Sequence, residues 1–175
     1  ENATRIPLII STPYSEKKGA ESMSPVELID LYPTLMDLTN INTPEHVVGK
    51  SLEPLMKDIN ASVRGSALTR WRNGYSIKTK RYRLTKWGSN GELGYELYDH
   101  KNDKKELINL ARNQEYNEVM DSLKLVIEQR ITEASIKPEG LGRQFKNTEP
   151  MYKAKNITFG DIHDINGEIL NFKKK

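Results

Sequence analysis

The stretch Gly74-Tyr75-Ser76-Ile77-Lys78-Thr79-Lys80-Arg81-Tyr82-Arg83-Leu84-Thr85-Lys86-Trp87 decides the fold of this chain. Its first half alternates aromatic or β-branched residues with polar residues, and its second half repeats the alternation from Tyr82. A period of two, with residues of high strand propensity, predicts two half-buried β-strands. Because few residues separate the two halves, the stretch is expected to form a β-hairpin.

Further strand candidates flank this hairpin. The four candidates are Ser66–Trp71, Tyr75–Thr79, Tyr82–Trp87 and Tyr95–Asp99, with turns at Asn73-Gly74 and Asn90-Gly91. They predict a small antiparallel sheet of about four strands, one face of which needs a cover. A helix from about Gln114 to Ile131, with apolar residues at three- and four-residue spacing, is expected to provide that cover. The fold class is therefore α/β, and α+β for this piece.

The predicted hairpin is strongly basic. From Arg64 to Lys86 there are eight Lys or Arg residues and no Asp or Glu. A cationic sheet that also carries Trp71, Tyr75, Tyr82 and Trp87 suits an anionic partner with rings. An edge strand protected from aggregation by Lys and Arg has the same appearance. Both interpretations stay open on the pattern alone.

Composition limits the alternatives. The chain has 175 residues, of which 36% are hydrophobic and 29% charged, so it is long enough for one domain with a core. It has no cysteine, which excludes disulfides, thiolate metal sites and a cysteine nucleophile within it. Residues 1–136 hold 19 basic and 19 acidic side chains. This balance argues against a general nucleic-acid binder. No apolar run approaches the ~20 residues that cross a bilayer. No charged-then-apolar leader opens the chain, and a mature start and a cut piece of a longer chain both stay open.

The first sixty residues predict a strand and two helices. The apolar run from Arg5 to Thr12 is typical of a parallel strand buried on both faces, although the chain supplies no evident neighbour for it. Pro33 is tolerated only in a first helical turn, so a helix is expected to start with Asp30 as its N-cap. Its buried face would carry Leu31, Leu35 and Leu38. A short helix capped by Ser51 is expected to run through Lys57.

Residues that carry chemistry are few. The three histidines, His46, His100 and His163, have no recognisable catalytic context, and the surface is the expected place of His46. The segment that begins Asp99-His100 departs from a calcium-binding loop at its third position and at its glycine. The residues alone therefore predict no metal or catalytic site.

An ordered set of motifs covers residues 1–131 and resembles the C-terminal part of a sulfatase of the alkaline-phosphatase-like superfamily. The likeness is closest to iduronate-2-sulfatase and related bacterial polysaccharide sulfatases. Each motif alone is weak, and the order and spacing of the set are specific. The motifs are Ala3-Thr4-Arg5-Ile6-Pro7-Leu8-Ile9, Pro25-Val26-Glu27-Leu28-Ile29-Asp30-Leu31-Tyr32-Pro33-Thr34-Leu35-Met36-Asp37-Leu38, Gly49-Lys50-Ser51-Leu52-Glu53-Pro54-Leu55, the hairpin with Tyr82-Arg83, Glu96-Leu97-Tyr98-Asp99-His100 and Asn109-Leu110-Ala111.

The resemblance implies a hydrolase whose nucleophile is a formylglycine and whose cofactor is a calcium ion. The formylglycine comes from the first residue of a Cys/Ser-x-Pro-x-Arg motif early in such chains. Here Ser11-Thr12-Pro13-Tyr14-Ser15 has Ser15 in place of the arginine, so the motif is not met. The resemblance therefore implies that this chain holds no catalytic residue and no metal ligand. Its partner would be a preceding catalytic portion of the same protein.

The resemblance also implies a division of the chain. Residues 1–60 would end the large catalytic domain, residues 61–135 would form the small C-terminal subdomain, and residues 136–175 would be an irregular extension with a hairpin at Asn166-Gly167. In the family this subdomain flanks the active-site cleft. Arg70, Trp71 and Arg72 are the candidates to line that cleft, because guanidinium groups bind sulfate and an indole stacks on a sugar ring.

Two classes of function follow from the sequence. The first is a fragment of a sulfatase that acts on sulfated sugars or glycans, inactive alone, in a protein of periplasmic, secreted or lysosome-like location. The second is a non-catalytic module that binds sulfated glycan or single-stranded nucleic acid through the basic sheet. A phosphoester or phosphonate hydrolase of the same superfamily is the nearer alternative to the first. A membrane partner is not expected, and nucleic acid is the less favoured polymer.

Overall fold

The computed structural model describes Glu1, residues 3–13 and 19–136, and the backbone of residues 162–163 and 169–170. The chain forms two compact units, Glu1–Ile136 and Lys137–Lys175. In the second unit, a strand at Ile162–His163 pairs antiparallel with a strand at Ile169–Leu170. The predicted turn at Asn166-Gly167 lies outside the described residues. The boundary between residues 1–60 and 61–135 stays a prediction.

The first unit contains the predicted sheet. Its strands are β1 (Ala67–Trp71), β2 (Gly74–Lys78), β3 (Tyr82–Trp87) and β4 (Gly94–Asp99), in the order β1-β2-β3-β4 with every pair antiparallel. Each predicted strand is confirmed to within one residue at either end, because alternation and glycine turns are local signals.

A long helix covers one face of this sheet. A 3-10 turn at Gln114–Tyr116 leads into the helix Asn117–Ser135, and the Asn113 side chain accepts a hydrogen bond from the Glu115 N–H at the start of the turn. The predicted cover is therefore confirmed. The core consists of a cross-strand row packed against the buried stripe of the helix: Ile77, Leu84 and Leu97 against Met120, Leu123 and Ile127.

Strand alternation assigns the remaining side chains to two faces. One face, with the core row, lies under the helix. The other is called the helix-free face, and its residues on the four strands include Thr69, Trp71, Gly74, Ser76, Lys78, Arg83, Thr85, Trp87 and Glu96.

The N-terminal part differs from the prediction in its details. Helix α1 runs from Leu31 to Leu38 and helix α2 from Glu53 to Lys57; the long helix is α3. A 3-10 turn at Leu28–Asp30 leads directly into α1. Asp30 stands at the N-cap position of α1, as expected, but its carboxylate makes no cap hydrogen bond and accepts the Glu27 N–H and more distant donors instead. Residues 5–12 form no strand in the structure, and the described part of the chain supplies no strand beside them.

The buried side of α1 is not the expected leucine face. Pro33 and Thr34 are buried, whereas Leu35 is 58% exposed. The Thr34 hydroxyl explains the difference, because it donates to the Asp30 carbonyl at 2.6 Å and accepts from the Leu52 N–H at 2.9 Å. A polar side chain with two partners inside the fold thus takes the inward position. None of the described helices has the length and apolarity needed to span a bilayer.

Candidate functional site

A buried ionic network joins the N-terminal helices to the sheet. Asp30 is fully buried, and its two oxygens accept the backbone N–H groups of Glu27 and Lys50, both at 2.8 Å, as well as the guanidinium of Arg64. Glu27 accepts from Arg64 Nη1 at 2.6 Å, from the Leu68 N–H of β1 at 2.6 Å, and from Arg130 of α3 at 2.8 Å. Glu27 and Asp30 therefore join the N-terminal helices to β1 and α3.

Four of the eight basic residues from Arg64 to Lys86 form ion pairs within the described part of the chain. Lys86 is 2% exposed and contacts Glu128 of α3 at 2.5 Å and the Ser89 carbonyl at 3.0 Å. A buried cation needs such partners, because desolvation is expensive. Arg64, Arg81, Arg83 and Lys86 all pair with carboxylates. The sheet is therefore much less cationic toward solvent than its sequence indicates.

The pair of Arg81 and Asp99 closes the end of the hairpin. Two guanidinium nitrogens contact the two Asp99 oxygens at 2.8 Å each. Hydrogen bonding from Arg81 lowers the pKa of Asp99, and further bonds from the Lys101 N–H and the Asn102 amide act in the same direction. This carboxylate is fixed and ionised, and its oxygens already have partners.

Within the described residues, one group of acidic and histidine side chains lies at metal-ligating distances: Glu1, His100 and Glu106. Arg83 donates to Glu106 and to Glu1 at 2.5 Å each, and His100 Nε2 lies 2.8 Å from Glu106. Burial raises the pKa of Glu106, but hydrogen bonds from the Glu1 nitrogen, His100 and Arg83 outweigh it and lower the pKa. The guanidinium of Arg83 already supplies the positive charge that the carboxylates of Glu1 and Glu106 bind. This group therefore does not fit a calcium ion.

The predicted contact residues lie where β1 ends and the turn to β2 begins: Arg70 and Trp71 are the last two residues of β1, and Arg72 follows in the turn. Arg70 and Trp71 are consecutive in β1 and so point to opposite faces. Arg70 lies over the Tyr75 ring at 5.3 Å on the helix side, and its Nε donates to the Arg72 carbonyl at 3.3 Å. Arg72 lies 5.6 Å from the Trp71 ring. The side chains of Trp71 and Arg72 are thus brought together, whereas Arg70 reaches Arg72 only at its backbone carbonyl. Trp71 is 67% exposed.

The sequence did not indicate a second indole beside this pair. Trp71, Gly74 and Trp87 stand in one cross-strand row. The Trp87 ring lies over Gly74, where a Cβ would be only 2.6 Å from the ring. The Trp87 Nε1–H donates to Glu96 at 3.1 Å, which fixes the ring. The glycine between two tryptophans, at positions that pair in a hairpin, was the signal that could have revealed this row.

A four-stranded antiparallel sheet packed by one long helix, preceded by two short helices, is the architecture of the C-terminal subdomain of sulfatases. The family model described as "N-sulphoglucosamine sulphohydrolase, C-terminal" matches residues 1–133. The chain belongs to this family, which confirms the resemblance of its motifs to the C-terminal part of a sulfatase.

Individual relatives agree with this assignment. An arylsulfatase of Clostridium perfringens is 31% identical over 134 residues, which cover 73% of this chain and 27% of the relative. A Delta 4,5-hexuronate-2-O-sulfatase of Bacteroides thetaiotaomicron is 28% identical over 144 residues, or 75% of this chain and 29% of the relative. The solved structure of a 2-O GAG sulfatase matches with a TM-score of 0.53 and 28% identity, covering 62% of this chain and 26% of that one. The chain thus spans between a quarter and a third of the length of these relatives.

Proposed function

We propose that this chain is the C-terminal portion of a sulfate-ester hydrolase that acts on sulfated sugars or glycans. The observation that carries the proposal is the family match over residues 1–133, in a chain that spans 27% of its arylsulfatase relative. The hexuronate and GAG sulfatases among the relatives favour a saccharide substrate. A periplasmic, secreted or lysosome-like location belongs to the same proposal.

The reactive centre is assigned to a preceding portion of the protein. A formylglycine and a calcium ion would supply the nucleophile and the polarisation of the sulfate there. The side chains of this chain support that division of labour, because the carboxylates described above already have cationic or backbone partners. Glu27, Asp30, Asp99 and Glu106 all accept from arginines. We therefore expect the chain alone to be inactive.

The exposed apolar surface of the first unit supports a missing partner. Leu28, Tyr32 and Leu35 follow one another at helical spacing around α1 and are 63%, 49% and 58% exposed. Ile6 and Ile9 in the N-terminal segment are 53% and 89% exposed. An apolar helix face of this kind is normally buried against another element. The preceding catalytic portion, about three times as long as the matched segment, is the proposed cover.

Within this scheme Arg70, Trp71 and Arg72 remain the proposed substrate contacts. No described carboxylate lies within ion-pair distance of Arg70 or Arg72, in contrast to the four paired cations of the same region. A guanidinium without a carboxylate partner retains its capacity to bind a sulfate or carboxylate. Their place at the open end of β1 leaves them accessible to a cleft formed with another portion of the protein.

The decisive experiment compares this chain with the protein encoded together with its upstream sequence. Both would be assayed for sulfate release from an aryl sulfate and from sulfated disaccharides, with calcium present. We expect turnover by the longer protein only. Turnover by this chain alone would contradict its assignment as a non-catalytic portion. A longer protein that hydrolyses aryl phosphonates in preference to aryl sulfates would replace the sulfatase proposal by a phosphonate hydrolase.

A further inference from the structure

The helix-free face is covered at one end and open at the other. At the covered end, Arg83 reaches the side chains of Glu1 and Thr4 at 2.5 and 2.9 Å. At the open end, the side chain of Trp71, the last residue of β1, is 67% exposed. The two ends therefore differ in kind, since the first is closed by polar contacts within the chain and the second presents an aromatic ring to solvent.

The open end carries two indole rings on a flat floor. Trp71 pairs with Gly74, and Gly74 pairs with Trp87, so the two tryptophans are separated by one strand, roughly 10 Å between backbones. Gly74 has no side chain, and the six-membered ring of Trp87 lies over it. The hydrogen bond to Glu96 holds that ring in place. The result is a preformed aromatic surface that needs no rearrangement to accept a flat ligand.

Polar groups border this surface. The next cross-strand row of the same face carries Thr69, Ser76, Thr85 and Glu96, which offer hydroxyl and carboxylate groups. On the other side, Arg72 lies 5.6 Å from the Trp71 ring. Arg72 has a φ of 51°, which places it in the tight turn between β1 and β2. It lacks a carboxylate partner among the described residues, so its charge is available.

We infer that Trp71, Trp87 and Arg72 form a subsite for one anionic saccharide unit of the substrate glycan. The inference rests on the proposed function. It keeps Trp71 and Arg72 of the three proposed contacts, and it leaves out Arg70 because that residue lies on the helix side of the sheet. The C–H face of a pyranose ring packs on an indole, which removes apolar surface from water. The guanidinium of Arg72 binds the sulfate or carboxylate of that sugar in a bidentate manner. Thr69 and Glu96, at the two edges of that row, are placed to bond the sugar hydroxyls.

The chain provides its own matched control. Arg70 and Arg72 carry the same charge two residues apart, and neither pairs with a described carboxylate. They differ in the face on which they lie: Arg70 stacks on Tyr75 beside the helix, and Arg72 stacks on Trp71. A diffuse attraction for anions would use both cations equally, whereas a subsite uses only Arg72.

The test measures binding of a heparin-derived tetrasaccharide to this chain by titration calorimetry, with its desulfated counterpart as second probe. Trp71→Ala and Arg72→Asn are expected to raise the Kd about tenfold or more, and Arg70→Ala to change it by less than about twofold. Asn is chosen because it tolerates a positive φ. The wild-type chain is expected to bind the desulfated probe about tenfold more weakly. Far-ultraviolet circular dichroism checks that each variant folds.

Three results would overturn the subsite. They are tetrasaccharide binding unchanged by Trp71→Ala, equal weakening by Arg70→Ala and Arg72→Asn, and equal affinity for an oligonucleotide of matched charge. Since binding is measured without turnover, these results leave the sulfatase proposal standing. Conversely, saccharide binding with the expected variant pattern, in a longer protein that releases no sulfate, would contradict the proposed reaction and not the subsite.

Discussion

Replacement of Asp30 by Asn tests whether the buried network holds the fold together. Asp30 is 0% exposed, and the Arg64 side chain that it contacts is 3% exposed. One carboxylate oxygen accepts from the Lys50 N–H and from Arg64, and the other accepts from the Glu27 N–H. Both carboxylate oxygens of Asp30 therefore accept from buried or backbone donors.

An asparagine at this position cannot satisfy the same donors. Its amide has one acceptor oxygen and one NH₂ group, so in either orientation the NH₂ faces a buried N–H or the guanidinium. The variant loses one charge-assisted bond, worth about 1.5–3 kcal/mol, and leaves one donor unsatisfied at about 1–3 kcal/mol. We expect the free energy of unfolding to fall by about 3–5 kcal/mol, the range for breaking one side of a buried ion pair.

The assay is urea unfolding followed by circular dichroism. Asp37→Asn is the matched control, because Asp37 is an exposed residue of helix α1, which follows Asp30 directly. We expect it to change the free energy of unfolding by no more than about 0.5 kcal/mol. Arg64→Gln, alone and combined with Asp30→Asn, completes a cycle in which the double variant should cost less than the sum of the single variants. A loss below about 0.5 kcal/mol for Asp30→Asn would refute the structural role assigned to this network.

Three further perturbations test other contacts. Gly49→Ala should destabilise the fold by about 1–3 kcal/mol in urea unfolding, because a Cβ would overlap the Ile29 carbonyl, whereas Gly65→Ala, with no atom within 4 Å, should be near neutral. The pKa of Glu106 is lowered, so its ionised form stabilises the folded state above the unfolded pKa of about 4.5, and that stability should be lost as the pH falls below about 4.5. Glu106→Gln should flatten the dependence of the unfolding free energy on pH in this acidic range, and an unchanged slope would contradict the assignment. Leu28→Ser combined with Leu35→Ser should reduce binding of the dye ANS to this chain without loss of folding, whereas Leu125→Ser, at a leucine of α3 that is 75% exposed, should not.

The sheet was predictable from sequence because its signals are local. Tyr82–Trp87 was predicted with both ends correct, since alternation begins and ends there and glycine turns follow. The helix over the sheet was predictable for the same reason, as the spacing of Met120, Leu123 and Ile127 is a property of a few consecutive turns.

The buried network was not predictable, because its partners lie far apart in sequence. Glu27 and Arg64 are 37 residues apart, and Glu27 and Arg130 are 103 residues apart. No periodicity connects such positions. Local patterns even suggested competing roles, since Asp30 fits an N-cap as well as it fits an ion-pair partner. Tertiary contacts decided between them, and they also turned Leu35 outward by placing Thr34 within the fold.

The candidate site shows how adjacency in sequence and adjacency in space differ in a strand. Arg70, Trp71 and Arg72 form one continuous motif, yet alternation sends Arg70 to the helix side and Trp71 to the helix-free face. In the same region, burial assigns carboxylate partners to Arg64, Arg83 and Lys86, because a cation removed from water without a counter-charge is too costly. A cation on the rim stays hydrated and is under no such requirement. The rim cations are therefore the ones left with a free guanidinium, and at Arg72 that group stands beside an exposed indole rather than in a uniformly basic sheet.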